Sequence, residues 1–397
     1  MLNKKTILIT GGTGSFGKKM VQIILANYQP RKLIVFSRDE LKQFEMAQKW
    51  SPKKYPFLEY VLGDVRDRER LMRVFDGVDY VIHAAALKQV PAAEANPQEF
   101  IKTNVLGAMN VIEAALYNNV KKVAALSTDK ACNPINLYGA TKLCSDKLFV
   151  AANVSSRKDR TQFLVVRYGN VLGSRGSVIP FFKERAQTGV LPITDERMSR
   201  FWITLDQAVH FVLMSLEKSH GGEIFVPRIP SMKIVDLATA ISPDCKQEVV
   251  GIRPGEKLHE TLISEDEART TYVYKECYIV HPIDGVPTAR RNNGQGHICE
   301  EGFKYTSDIN TDWLTVGDLQ KFVEQISDDY TIEKSRWVME DVAVKAKASK
   351  AKSLARGEKT MIKIRELEKL DRLARKAKED FKAGKSVAAK IAKGEKF

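Results

Sequence analysis

The sequence has little of what marks a membrane, disulfide-bonded or metal-binding protein. No stretch of its 397 residues approaches the roughly 18 consecutive apolar residues that a membrane-spanning helix requires. Its five cysteines form no C-x-x-C pair and its six histidines show no H-E-x-x-H spacing, so we expect neither a disulfide framework nor a metal site. The first short apolar run leads into a glycine-rich loop and not into the small-residue cleavage site of a signal peptide. We therefore expect a cytoplasmic protein without a transmembrane segment.

Positive charge is concentrated at the C-terminal end. The net charge is +14, yet residues 331–397 contain 20 Lys and Arg against 10 Asp and Glu, so residues 1–330 carry only +4. Within this region, 361–381 has apolar residues at helical spacing. We expect a basic, partly helical or flexible extension over 336–397. A solvated helix, docking on another subunit, or contact with an anionic surface are all compatible with it, whereas the lack of aromatic interleaving argues against a specific nucleic-acid partner.

The first half alternates short apolar runs with helical patterns, which is typical of a parallel sheet with crossover helices. The predicted strands are 6–10, 32–36, 58–64, 79–85, 122–128 and 163–168. The predicted helices are 16–27, 40–49, 67–75, 98–117 and 138–151. The pattern predicts an α/β fold with a doubly wound, Rossmann-like parallel sheet over 1–170. It loosens afterwards, which suggests a smaller substrate-binding lobe over 171–335, interleaved with the last strands.

A glycine-rich loop, "GGTGSFG", directly follows the first predicted strand and opens the next helix. Glycine lets the backbone turn tightly and approach a pyrophosphate, which then lies on the helix N-terminus. The strand–loop–helix context predicts dinucleotide binding by Gly11, Gly14, Ser15, Phe16 and Gly17.

The end of the second strand indicates which dinucleotide is preferred. Ser37 and Arg38 come first in "FSRDE", and an arginine can hold a 2′-phosphate and stack on adenine. Asp39 follows immediately, and an acid at this position could instead bind the ribose hydroxyls of NAD. The sequence therefore favours NADP over NAD without excluding NAD. Other strand ends, which could also be ordinary turns, are predicted to contact the adenine and the nicotinamide ribose: Asp64, Val65, Ala84, Ala85 and Ala86.

Tyr138 and Lys142 share one helix face because they are four residues apart. A nearby ammonium favours the phenolate form of tyrosine, which can then take a proton from a substrate hydroxyl. Ser127 or Thr128, at the end of the preceding strand, could hold the substrate oxygen. Together with the glycine loop, this pattern closely resembles the extended short-chain dehydrogenase/reductase superfamily.

Asp129–Lys130 adds an acid and an amine that a simple dehydrogenase does not need. The pair could be a solvated salt bridge in a turn, but it directly follows Thr128 at the ligand edge of the sheet. A 4,6-dehydration of a hexose needs one extra base and one extra acid. Oxidation of C4 acidifies the C5 hydrogen, a base removes it, an acid protonates the departing C6 hydroxyl, and the hydride returns to C6. An amine can be this base if desolvation lowers its pKa.

Six motifs then point to one family: "GGTGSFG", "SRDELKQ", "HAAALKQVP", "LSTDKACNPINLYGATK", "RYGNVLGSRGSVIPFF" and "IRPGEKLHE". Together they resemble the C5-inverting UDP-N-acetylglucosamine 4,6-dehydratases, which begin pseudaminic acid biosynthesis, over roughly residues 4–325. Dehydratases that retain the C5 configuration carry Asp–Glu in place of Asp129–Lys130. Membrane-anchored relatives often carry Met in place of Tyr138.

The resemblance implies a role for each residue. Lys130 would be the C5 base and Asp129 the C6 acid, while Tyr138, aided by Lys142, would act on the C4 hydroxyl. Contacts to the cofactor or to UDP-N-acetylglucosamine are implied for Lys88, Thr128, Asn170, Arg200, Arg253 and Glu256. The residues alone leave "RPGEK" open as a capped surface turn.

The expected product is UDP-2-acetamido-2,6-dideoxy-β-L-arabino-hex-4-ulose, and the resemblance also implies a homo-oligomer. Two other functions are compatible with the sequence. One is a UDP-sugar 4-epimerase or reductase of the same superfamily, and the other is a non-catalytic NADP-binding scaffold.

Overall fold

Six parallel strands form the first part of the central sheet in a computed structural model, which describes residues 1–155, 161–172, 178–282 and 296–325. Their bounds are β1 Thr6–Thr10, β2 Lys32–Ser37, β3 Leu58–Leu62, β4 Tyr80–His83, β5 Lys122–Thr128 and β6 Gln162–Tyr168. They are arranged in the order β3-β2-β1-β4-β5-β6. This is the order of a doubly wound dinucleotide-binding sheet, so the predicted fold class is confirmed.

The strands are apolar because helices cover the sheet on both faces. Every residue of β1 is buried, as are five of the six residues of β2. The covering helices are α1 Ser15–Asn27, α2 Glu40–Lys49, α3 Arg68–Val74, α6 Gly107–Tyr117 and α7 Leu137–Ser155. Two short helices, α4 Val90–Ala95 and α5 Pro97–Phe100, pack against α7. No described helix combines the length and apolar character needed to cross a membrane.

The prediction of one continuous α-helix over 98–117 is wrong in the middle of that range. The segment Ile101–Leu106 forms a π-helical turn between α5 and α6. Within it, the Asn104 side chain accepts a hydrogen bond from the Leu87 backbone N–H and donates one to the Leu87 carbonyl, both at 2.9 Å. The irregular turn therefore fixes the loop after β4, and such turns are frequent at functional sites.

The remaining elements follow residue 170. Their strands are β7 Asn170–Val171, β8 Val190–Ile193, β9 Ser199–Ile203, β10 Ile224–Pro227, β11 Ser231–Lys233, β12 Lys246–Val249, β13 Thr261–Ile263, β14 Thr271–Val273, β15 Cys277–Val280, β16 His297–Ile298 and β17 Tyr305–Thr306. Their helices are α8 Val178–Ala186, α9 Leu205–Lys218, α10 Ile234–Ile241, α11 Glu265–Ala268 and α12 Val316–Gln325. β10 joins the central sheet parallel to β6, and β15, β14 and β16 extend that sheet in antiparallel fashion.

A second apolar cluster, which includes Trp202, Leu237 and Leu319, packs apart from the main core. It supports the small sheets β11-β9-β7 and β12-β8. A cleft of about 1200 Å³ is lined both by these elements and by the carboxyl ends of β1, β2, β4 and β5. This is the edge at which doubly wound sheets bind ligands. The described residues all fall within the compact unit Met1–Lys334, and the predicted basic extension lies outside them.

Candidate functional site

The glycine loop packs too closely for side chains at two positions. Gly11 has a φ of +65°, and a Cβ there would lie 2.8 Å from the backbone nitrogen of Ala85. A Cβ on Gly17 would lie 2.4 Å from the carbonyl oxygen of Gly12. The loop can therefore lie close against the start of α1, and the N-terminus of a helix is a favourable place for a phosphate.

All residues predicted to hold the cofactor line the cleft. They are Gly11, Gly14, Ser15, Phe16, Gly17, Ser37, Arg38, Asp64, Val65, Ala84, Ala85, Ala86, Lys88, Tyr138 and Lys142. The predicted substrate contacts line the same cleft: Lys88, Thr128, Asn170, Arg200, Arg253 and Glu256. The fold thus brings together residues that are up to 245 positions apart, from Gly11 to Glu256.

The acid–amine pair lies where β5 ends. Thr128 caps a short 3₁₀ turn, Asp129–Ala131, that places both side chains. The Lys130 ammonium contacts Asp129 Oδ1 at 3.0 Å, and the Thr128 hydroxyl donates to the same oxygen at 2.9 Å. Lys130 and Thr128 line the cleft, but Asp129 is 0% exposed and does not. The pair thus lies at the predicted end of β5, with Lys130 on the cleft and Asp129 buried.

Glu260 completes this group, and the sequence analysis missed it. Its Oε1 lies 3.1 Å from Lys130 Nζ, and the residue is only 1% exposed. It precedes β13, 130 positions after Lys130, within the quoted motif "IRPGEKLHE". Glu260 was present in the motif, but only the tertiary fold shows that its carboxylate reaches the Lys130 amine.

The expected lowering of the Lys130 pKa is not found. Burial acts to lower the pKa of Lys130, but the negative charges of Asp129 and Glu260 outweigh burial and raise it above its ordinary value. Burial, and after it the charge of Glu260, raises the pKa of Asp129. In this structure the amine is therefore an ammonium held between two carboxyl groups.

Tyr138 and Lys142 lie on one face of α7, as their spacing predicts. Both are nearly buried, at 8% and 4% exposure, and Tyr138 packs against Ala93 and Phe100. Burial raises the pKa of Tyr138 to about 12, although Lys130 and a hydrogen bond with Thr128 act to lower it. Burial lowers the pKa of Lys142, against the attraction of Asp146. The cation that acts most on the phenol here is thus Lys130.

A buried ion network supports these residues from behind. The Arg167 guanidinium, at 0% exposure, contacts Glu267 at 2.8 Å and Asp146 at 3.5 Å. Asp146 also accepts a 2.7 Å hydrogen bond from the Ser127 hydroxyl on β5. Because Asp146 is one helical turn after Lys142, this network ties β5 to the part of α7 that carries Lys142.

The "RPGEK" segment is more than a surface turn. Lys257 Nζ donates to the Cys132 carbonyl at 2.6 Å, and the Asn136 side chain donates to the Gly255 carbonyl at 2.7 Å. The segment is therefore tied to the loop that carries Lys130.

Arg200 contributes to the same arrangement. Its guanidinium donates to the carbonyls of Leu258 and Lys257 at 3.0 and 2.9 Å and lies 3.4 Å from Glu256. It therefore orders this segment from the cleft wall, whereas Arg253 is exposed on the cleft and available to a ligand.

The far end of the cleft carries two cations. Arg38 is exposed and lies 3.8 Å from Asp64 Oδ2. Asp39 accepts a hydrogen bond from the Lys42 backbone N–H at 3.0 Å, which caps α2, and its carboxylate also pairs with the Lys42 ammonium. Asp39 is thus engaged by its own helix, and Lys42, which the sequence analysis did not single out, joins Arg38 in lining the cleft. The described ranges contain no cluster of His, Cys, Asp or Glu that could hold a metal ion.

Comparison with known proteins agrees with this geometry. The family described as "Polysaccharide biosynthesis protein" matches residues 7–282. A UDP-N-acetylglucosamine 4,6-dehydratase (inverting) from Campylobacter jejuni subsp. jejuni serotype O:2 is 54% identical over 331 residues, which cover 81% of this chain and 98% of that protein. A UDP-glucose 4-epimerase from Rickettsia conorii is 43% identical over 293 residues, covering 72% of this chain and 85% of that protein.

A solved structure extends the likeness to three dimensions. The X-ray structure of Pen from Bacillus thuringiensis superimposes with a TM-score of 0.75 at 34% identity, covering 82% of this chain and all of that one. The chain therefore belongs to the polysaccharide biosynthesis protein family of extended short-chain dehydrogenase/reductases, together with the inverting UDP-N-acetylglucosamine 4,6-dehydratases that it resembles.

Proposed function

We propose that the protein is a C5-inverting UDP-N-acetylglucosamine 4,6-dehydratase, a hydro-lyase that ends each turnover with its cofactor unchanged. The observation that carries the proposal is the 3.0 Å contact between Lys130 and Asp129 beside Tyr138. A dehydrogenase or an epimerase needs no such acid–amine pair. The 54% identity to an inverting dehydratase supports the same conclusion.

Tyr138 takes the proton of the C4 hydroxyl in the first step. Its pKa, raised to about 12 by burial, must fall for this step, and the Lys130 ammonium favours the phenolate. The glycine loop, Arg38 and Lys42 would hold NADP, which would supply the means of removing hydride from C4 and returning it to C6. The glycine loop, with its close backbone packing at the N-terminus of α1, fits the diphosphate of such a cofactor.

The elimination step uses Lys130 as base at C5 and Asp129 as acid for the C6 oxygen. Asp129 is buried, so its proton reaches the sugar through the Thr128 hydroxyl, which lines the cleft and contacts Asp129 Oδ1 at 2.9 Å. Thr128 gives its own proton to the leaving oxygen and takes that of Asp129. Water departs and a C5–C6 double bond forms.

NADP is the preferred cofactor in this proposal. Arg38 and Lys42 present two positive charges at the end of β2, which suit a 2′-phosphate. Asp39 is occupied by the N-terminus of α2 and by Lys42, so it is poorly placed to accept hydrogen bonds from ribose hydroxyls.

The sugar nucleotide would lie between the catalytic turn and the C-terminal lobe. Lys88, which lies near Lys130, and Asn170 line the cleft, and Arg253 offers an exposed guanidinium to the diphosphate. Arg200 and Glu256 would shape this end by holding their segment in place. We assign the product to pseudaminic acid biosynthesis and the enzyme to the cytoplasm, where nucleotide sugars and NADP are available, and we propose that it acts as a homo-oligomer.

One assay tests the reaction. The protein is incubated with UDP-N-acetylglucosamine in deuterated water, and the product is followed by NMR. The proposal predicts a 4-keto-6-deoxy sugar with deuterium at C5 and inverted configuration. A 4-epimer without a 6-deoxy product would indicate the epimerase, as the named relative from Rickettsia conorii would suggest. Folded, cofactor-bound protein that forms no 4-keto product would refute the dehydratase.

A further inference from the structure

Glu260 is a buried carboxylate that the mechanism above does not use. It is 1% exposed, yet it lines the cleft beside Lys130. One oxygen, Oε1, contacts Lys130 Nζ at 3.1 Å and Arg200 Nε at 3.8 Å. Its backbone N–H is also fixed, because it donates to the Ser307 hydroxyl at 3.0 Å. The carboxylate is thus held through its backbone and through one oxygen, and that oxygen contacts the amine of Lys130. It is therefore placed to influence the position and the protonation of Lys130.

The charges around Glu260 keep it ionised. Burial acts to raise its pKa, but Lys130, Arg200 and Lys257 outweigh burial and hold the pKa below its ordinary value.

Lys130 in turn faces several charged or titratable groups. They are Asp129 on its own turn, Glu260, Arg200 on β9, Lys88 after β4 and Tyr138 on α7. Asp129 faces Lys130, Glu260, Thr128 and Tyr138. The negative charge of Glu260 thus acts on both members of the acid–amine pair.

We propose that Glu260 is a positioning residue for this reaction, which anchors Lys130 and keeps one proton shared between Lys130 and Asp129. The inference rests on the proposed dehydratase function. It follows from the geometry, because Asp129 Oδ1 is within reach of both Lys130 Nζ and Thr128 Oγ1, while Glu260 Oε1 holds the amine with no proton of its own to give.

The shared proton accounts for the start and the end of elimination. A proton passes from Lys130 Nζ to Asp129 Oδ1 over the 3.0 Å contact, which makes a neutral amine and a carboxylic acid together. The amine then takes the C5 proton, and the C5–H electron pair becomes the C5–C6 double bond. The C6–O bond breaks, and the leaving oxygen receives the Asp129 proton through Thr128. Lys130 ends as an ammonium and Asp129 as a carboxylate, their state in this structure.

The consequence is a specific pH dependence. A second proton on the pair would block the base at low pH, and loss of the shared proton would remove the acid at high pH. The charge of Glu260 raises the pKa of both Asp129 and Lys130. Removal of that charge should therefore lower both, and both limbs of the pH–rate profile should move to lower pH.

The test measures kcat/KM for 4-keto-6-deoxy product from about pH 5 to about pH 10. The variants are Glu260→Gln, which removes the charge, Glu260→Asp, which keeps it, and Glu265→Gln, a matched change at an exposed position on α11. For Glu260→Gln we expect both limbs to move down by about one pH unit and the rate at the wild-type optimum to fall about tenfold. Glu260→Asp should lose rate but keep the limbs in place, and Glu265→Gln should match the wild type.

Each outcome is decisive. A Glu260→Gln profile that is lower but unshifted would mean that Glu260 is only structural. If that variant does not fold, as judged by NADP binding, displaced limbs in Glu260→Asp would overturn the inference and unmoved limbs would support it. Wild-type protein that forms no 4-keto product would instead refute the proposed function, and this inference with it.

Discussion

Replacement of Arg167 by methionine should destabilise the protein strongly. Arg167 is 0% exposed and is the ionic partner of Glu267 and Asp146, the latter 1% exposed. Methionine fills much of the volume but leaves two carboxyl groups without their cation. Breaking a buried ion pair from one side costs about 3–5 kcal/mol. For a unit of this size the loss corresponds to roughly 4–7 °C in Tm.

The loss of folding stability caused by Arg167→Met should depend on pH. Arg167 acts to lower the pKa of both carboxyl groups: the pKa of Glu267 lies below its ordinary value, while burial still raises that of Asp146. A carboxyl group with a lowered folded-state pKa stabilises the protein above its unfolded-state pKa and loses that contribution as pH falls through the folded value. The deficit of Arg167→Met should therefore be largest near pH 7–8 and smaller near about pH 4–5.

Urea unfolding at both pH values measures this effect. Arg73→Met is the control, because Arg73 pairs with Glu69 at 3.3 Å on the exposed side of α3 and should cost within about 1 kcal/mol. Addition of Glu267→Gln to Arg167→Met should recover part of the loss. A deficit no larger than that of Arg73→Met, or one that grows as the pH falls, would refute the account of the buried network.

Three further predictions concern the cleft. Lys130→Ala should abolish deuterium incorporation at C5 in the NMR assay yet leave NADP bound; loss of NADP binding instead would make Lys130 a structural residue. Arg38→Ala should weaken NADP binding about tenfold or more in calorimetric titration and leave NAD binding nearly unchanged, and an equal loss for both would exclude a 2′-phosphate contact. Gly17→Ala should abolish cofactor binding, because its Cβ would lie 2.4 Å from the Gly12 carbonyl oxygen; unaltered binding would show that the loop can move aside.

The fold could be predicted from the sequence because its signals are local. All six predicted strands of the first half are present, since parallel strands covered on both faces read as continuous apolar runs. The π-helical turn Ile101–Leu106 could not be foreseen in the same way. It depends on the pairing of Asn104 with Leu87, a contact between two elements and not a property of one.

The candidate site was predictable in position but not in electrostatics. The residues chosen from motifs gather around one cleft, apart from Asp129, which is buried. Desolvation alone would lower the pKa of Lys130. The negative charge of Glu260, with that of Asp129, raises the pKa instead. The residues next to Lys130 in the sequence do not predict that a carboxylate 130 positions away will contact it.

The two hydrogen bonds that join the "RPGEK" segment to the catalytic loop have a consequence for substrate recognition. Lys257 reaches the Cys132 carbonyl and Asn136 reaches the Gly255 carbonyl, so the wall that carries Arg253 is mechanically continuous with the turn that carries Lys130. Binding energy from the remote nucleotide can thereby be converted into alignment of the amine with C5. A sugar phosphate that lacks the uridine would then be turned over more slowly as well as bound more weakly. The nucleotide would thus contribute to catalysis and not only to binding.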